Sequence, residues 1–98
     1  MSGGDVEVLR RLFAVIDGRR GADPATSYTA KLLQMGPAYC ARKFGEEAIE
    51  AVVAATEGNP EALVSGAADT IYHLLVLLQA ADVGLRPVMV ELARRHTR

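Results

Sequence analysis

The chain reads as all-α: an antiparallel bundle of four main helices plus one short helical segment, completed by dimerisation. Three observations predict this. Apolar residues recur at helical spacing, as in Val6, Leu9, Leu12, Phe13 and Ile16. No stretch alternates with period two for long enough to make a strand. The breaks between the long apolar segments, at Gly36-Pro37, "EGNP" (Glu57 to Pro60) and "VGLRP" (Val83 to Pro87), are short, and short turns make sequential helices antiparallel neighbours.

Each element follows from its punctuation. The first helix is expected over about Asp5 to Asp17. A loop, "GRRGADPAT", leads to "SYTAKLL", where Ser27 can cap a turn or two of helix. The second long helix runs from about Ala38 to Thr56, with Phe44, Ala48, Val52 and Ala55 as its packing side. In "EGNP", Gly58 suits a left-handed cap, Asn59 an N-cap and Pro60 the first helical position, so the third long helix runs from Pro60 to about Ala81. Gly84 repeats the stop signal before a last helix from about Pro87 to Arg95.

With 98 residues, half of them hydrophobic, the chain makes one domain, 1–98, with a single core. A core this small, poor in large aromatics, gains from a second copy, so a homodimer or higher homo-oligomer is expected. A formal net charge of -1 gives no basic field and argues against nucleic acid as a partner. The N-terminus carries no basic run followed by an apolar one, so no signal peptide is expected. The single cysteine, Cys40, fits a reducing cytoplasm and reads as an ordinary buried thiol. Ala62 to Ala81 is long enough to cross a membrane. It contains Ser65, Asp69, His73 and Gln79 and lacks flanking basic clusters, so a buried bundle helix is expected instead.

The chemistry concentrates on two helices. "GEEAIE" puts Glu50 beside both Glu46 and Glu47, and like charges at that spacing repel by a few tenths of a kcal/mol. Asp69 is the one carboxylate in an otherwise apolar helix, and a buried carboxylate needs a proton or a cation. Counted back from "EGNP", Glu50 and Asp69 lie at similar heights on neighbouring helices. Several acidic oxygens without a His or Cys pair at ligand spacing point to a hard divalent cation, Mg²⁺, and hence to phosphate chemistry. The plainer alternative is a solvated acidic face, with Asp69 hydrogen-bonded to Tyr72, His73 or another helix.

The runs "SYTAKLL", "RKFGEEAIEAVVAA" and "SGAADTIYHLLVLL", in that order, resemble the motifs of the phosphoribosyl-ATP pyrophosphatase family, within the all-α MazG-like nucleotide pyrophosphohydrolases. The resemblance covers about Asp17 to His96. It implies hydrolysis of phosphoribosyl-ATP to phosphoribosyl-AMP and pyrophosphate in histidine biosynthesis, with Mg²⁺, by a cytoplasmic homodimer or larger assembly. It also implies a metal site built from E-x-x-E and E-x-x-D on adjacent helices. Glu47 and Glu50 match the first motif and Asp69 the end of the second, but Gly66 stands where the pattern has Glu.

The expected roles are therefore Glu47, Glu50 and Asp69 as metal ligands, with Glu46 or Glu50 taking the proton of the attacking water. Ser27, Thr29, Lys31, Lys43, Tyr72 and His73 are candidates for substrate contacts, and Arg42, Arg19 and Arg20 for phosphate. The alternative is a non-catalytic nucleotide-binding or helical dimer module, impaired in its metal site by Gly66.

Overall fold

The computed structural model describes residues 3–97; Met1, Ser2 and Arg98, at the ends of the expected domain, lie outside the described residues. Five helices follow one another: α1 Gly3–Gly18, α2 Tyr28–Met35, α3 Pro37–Thr56, α4 Pro60–Ala80 and α5 Leu85–His96. Among the described residues there is no strand.

The helix ends form where the punctuation places them, with one exception. Ser27 caps α2 by accepting the amide of Ala30 at 3.1 Å. Gly58, at φ 67°, turns the chain out of α3 while its amide bonds back to Ala55 and that of Asn59 to Ala54. This paired closure satisfies carbonyls that the helix leaves open. Asn59 then caps α4, accepting the amide of Ala62 at 3.1 Å, with Pro60 next. One residue thus ends α3 and begins α4. At the far end of α4 the left-handed position is taken by Asp82, at φ 58°, and not by Gly84. The amides of Asp82 and Val83 close onto Gln79 and Leu78 in the same pattern as at Gly58. Gly84 instead precedes α5, which starts two residues before Pro87. Pro87 falls in the first turn, where its missing N–H costs no hydrogen bond.

The core sits at one end of the molecule. Ile16, Leu32, Cys40, Leu75 and Val76 are buried together, with Leu9, Leu12, Phe13, Leu33, Tyr39 and Leu78 packed around them. Burial of each larger aliphatic chain here contributes about 1.5–3 kcal/mol. Cys40 is the inert thiol expected: its Sγ donates to the Leu32 carbonyl at 3.1 Å, and burial pushes its pKa up. Arg20 ties the α1–α2 connection to α4. Its Nε donates to the Gln79 side chain at 3.0 Å, a terminal nitrogen reaches the Gln79 carbonyl, and Asp82 and Asp17 flank it at 3.2 and 3.3 Å.

The opposite end, the tip of the α3–α4 hairpin, is open. Val52 and Ala55, expected on a packing side of α3, are exposed; the helix turns Cys40, Ala51 and Ala54 inward instead. On α4, burial is confined to His73, Leu75, Val76 and Gln79 in the C-terminal half. The N-terminal half holds no buried residue, and Val64 there is 71% exposed. That half of α4 is therefore not the buried bundle helix that its composition predicts. By length and apolarity alone α4 matches a membrane span, as the core helix of a soluble protein also does.

Candidate active site

The α3–α4 hairpin brings the two acidic motifs into one cavity of about 390 Å³. Glu47, Glu50 and Glu57 line it from α3 and its cap, Gly66 and Asp69 from α4, with Ile49, Val53, Ala54, Ala62 and Ser65 as walls. The Schellman turn at Gly58 fixes this register, since it sets Ala51 directly against Gly66. The helices approach closely there. A Cβ on Gly66 would lie 3.2 Å from the Cα of Ala51, a backbone atom that moves only with the helix. Glycine at 66 thus lets α3 and α4 pack closer than a residue with a side chain would.

Glu47 and Glu50 stand within hydrogen-bonding reach of each other. Two carboxylates can hydrogen-bond only if one holds a proton. The Glu47 carboxyl is accordingly held above the ordinary glutamate range, chiefly by burial, then by the bond to Glu50 and the charges of Glu50 and Asp69; nearby His73 pulls the other way. Among the described residues, no three His, Cys, Asp or Glu side chains converge closely enough to hold an ion as they stand. The oxygen donors sharing this cavity, two of them already in mutual contact, are nevertheless of the hard type that a divalent cation takes, and a cation would relieve their repulsion.

Asp69 is exposed in the single chain, not interior as an all-round apolar helix predicts. Its carbonyl, not its carboxylate, holds His73, whose Nδ1 lies 2.8 Å away. A carbonyl only accepts, so Nδ1 carries the proton, and Nε2 is left to accept from the Tyr28 hydroxyl at 3.3 Å. His73 is buried. Tyr72 shares a hydrogen bond with Thr29 and meets the His73 ring edge-on at 4.9 Å. Both α4 side chains expected to touch substrate are therefore engaged with α2. Tyr28 stacks on Tyr72 with ring centroids 6.4 Å apart and is itself 52% exposed. Its hydroxyl pKa is raised, chiefly by burial of the oxygen, against a lowering by Lys43.

The remaining expected residues separate into those the structure gathers and those it does not. Lys43 lies near Tyr28 and pairs with Glu46 at 3.3 Å, and that hydrogen bond is the main reason its pKa is raised. Glu46 faces the basic side of α3, with Arg42 at 3.9 Å, and is absent from the residues lining the cavity. Arg42 also lies over the Tyr39 ring at 5.0 Å. Ser27 is occupied as the cap of α2, Lys31 and Arg19 are exposed, and Arg20 is committed to Gln79. Sequence reasoning passed over two residues. Glu57 had a legible signal, seven residues and thus two turns beyond Glu50. Tyr28 had only its place in "SYTAKLL".

A helical hairpin carrying opposed carboxylates beside a lysine and hydroxyl donors has the donor set of an all-α phosphate-handling hydrolase. Residues 9–96 match the family described as Phosphoribosyl-ATP pyrophosphohydrolase, and the chain belongs to that family. It is 56% identical over 98 residues to the phosphoribosyl-ATP pyrophosphatase of Paracoccus denitrificans (strain Pd 1222), covering 100% of this chain and 91% of the relative. It is 57% identical over 91 residues to that of Cereibacter sphaeroides (strain ATCC 17025 / ATH 2.4.3), covering 93% and 88%. With that of Jannaschia sp. (strain CCS1) it shares 56% over 88 residues, covering 90% and 86%.

Proposed function

We propose that this chain hydrolyses phosphoribosyl-ATP to phosphoribosyl-AMP and pyrophosphate in the cytoplasm, as a step of histidine biosynthesis. The observation that carries this is the shared cavity: Glu47, Glu50 and Asp69, picked out by two separate sequence motifs, line one space. The names of the relatives supply the substrate.

Glu47, Glu50 and Asp69 would hold Mg²⁺, which when bound neutralises phosphate charge and acidifies water. Glu50 is the candidate to take the proton of the attacking water, since it lines the cavity whereas Glu46 is turned toward Lys43. Glu46 is then better suited to orienting Lys43 than to proton transfer. Lys43 would bind a phosphate oxygen, with Lys31, Arg42 and the hydroxyl of Thr29 as further candidates for the phosphates. His73 and Tyr72 would act from behind, fixing the turn of α4 that carries Asp69 and bracing α2 against it. Pairing with a second copy would cover the open hairpin, where Ile49, Val52, Val53, Val64 and Ile71 are exposed.

Pyrophosphate release from phosphoribosyl-ATP, measured with and without Mg²⁺, tests the reading; no release under either condition sinks it. The mass of the particle in solution, measured by light scattering, tests the pairing.

A further inference from the structure

Choosing a nucleotide over a bare polyphosphate needs the base held as well as the phosphates, and none of the residues assigned above is placed to contact a base. The aromatic groups near the carboxylates narrow the choice. Tyr72 is half-buried and its hydroxyl is taken by Thr29; His73 is buried with both ring nitrogens bonded. Tyr28 differs from both. One side of its ring rests on Tyr72, nearly parallel at 25°, its hydroxyl is pinned to His73, and 52% of the residue remains open. The ring is thus held by two neighbours while about half of the residue stays open, as a stacking platform requires, so a ligand stacking on it forfeits little side-chain freedom. It also lies where a nucleotide would need it. His73, its hydrogen-bond partner, is one helical turn from Asp69, and the charges of Lys43 and Glu47 both act on its hydroxyl.

We infer that Tyr28 is the stacking platform for the purine base of the substrate, selecting nucleoside polyphosphates over bare polyphosphates at the carboxylate site. This rests on the hydrolase reading but is tested without turnover. Binding of ATP and of inorganic tripolyphosphate, each with Mg²⁺, is measured calorimetrically for the wild type, Tyr28→Phe and Tyr28→Leu. Loss of one base stack predicts that Tyr28→Leu binds ATP about 10-fold more weakly while tripolyphosphate affinity stays within about 2-fold. Tyr28→Phe keeps the ring and loses only the hydroxyl, so its ATP affinity stays within about 3-fold of wild type. Equal weakening for both ligands in Tyr28→Leu would assign Tyr28 a purely structural role and overturn the inference. So would unchanged ATP binding in Tyr28→Leu, or a wild type that holds ATP no better than tripolyphosphate. A wild type that binds ATP through Tyr28 yet releases no pyrophosphate overturns the hydrolase reading alone.

Discussion

The two halves of α4 solve opposite problems. In its C-terminal half every polar group has found a partner within the chain: His73 with the Asp69 carbonyl and Tyr28, Tyr72 with Thr29, Gln79 with Arg20 and the Phe13 carbonyl. In its N-terminal half Asp69 shares a cavity with Glu47 and Glu50, no cationic side chain lines that cavity among the described residues, and apolar side chains are exposed. The first half is what stability alone produces. The second half keeps like charges together and leaves apolar surface uncovered, which a fold tolerates only where an ion, a ligand or another subunit supplies the missing partner.

Substitutions at the two ends should therefore separate activity from stability. The largest expected effect is at the carboxylates. Glu47→Gln should lower kcat/KM for phosphoribosyl-ATP by about 10²–10³-fold. It should leave the melting temperature of the metal-free protein unchanged or raised, because a repelling charge is gone; a folding defect equal to the activity loss would contradict this. At the other end Leu32→Ala, among the most buried side chains, should cost about 2–5 kcal/mol in denaturant unfolding, and the folded fraction should keep its Mg²⁺ affinity.

Gly66→Glu lies in the carboxylate cavity, at its close helix contact, and tests whether metal binding and packing can be traded there. The restored carboxylate should tighten Mg²⁺ binding by about 10-fold, in line with the effect of altering one group at a metal site. The new Cβ presses on Ala51, so thermal stability should not rise by the ~1 kcal/mol that replacing a helical glycine ordinarily gives. Titration of the metal alongside melting curves measures both.

The smallest effect is on pH. Glu47 has its folded-state pKa raised, so the metal-free protein gains relative stability as pH falls from neutral through that raised value. Mg²⁺ must displace the same proton, so its affinity should fall over the same interval, above the ordinary glutamate range. Calorimetry in buffers of different ionisation heats should detect proton release on Mg²⁺ binding; none in Glu47→Gln confirms its origin, and equal release in that variant refutes it.

Helix number and the α3–α4 turn were legible because local chemistry decides them. Gly58, Asn59 and Pro60 each satisfy a backbone requirement that no distant residue can override. The end of α4 near Ala81 was legible, but the turn residue was not: Asp82 takes the place expected of Gly84, because its short polar side chain tolerates the left-handed conformation that glycine usually supplies. Which faces are buried was less legible. Val52, Val64 and Ile71 have the residue types of a core, yet within the single chain they are exposed. For the site, spacing singled out Glu46, Glu47, Glu50 and Asp69, the motif resemblance narrowed them to Glu47, Glu50 and Asp69, and the hairpin brings those three to one cavity, but spacing could not tell Glu46 from Glu50. That choice depends on which way the helix turns each carboxylate, toward Lys43 or toward α4. The roles first considered for Tyr72 and His73 turned on exposure, which a sequence of alternating small and large apolar residues does not encode.

One consequence concerns Arg20. Its guanidinium binds the Gln79 side chain and the carbonyl of the same residue, while Gln79 in turn donates to Phe13 at 3.4 Å. A loop of charged and small residues is thereby riveted to the last turn of α4 and, through it, to α1. Opening that loop means breaking the rivet, so its hydrogen-bonded amides, those of Arg20 and Ala22 among them, should exchange with solvent more slowly than those of a floppy connector.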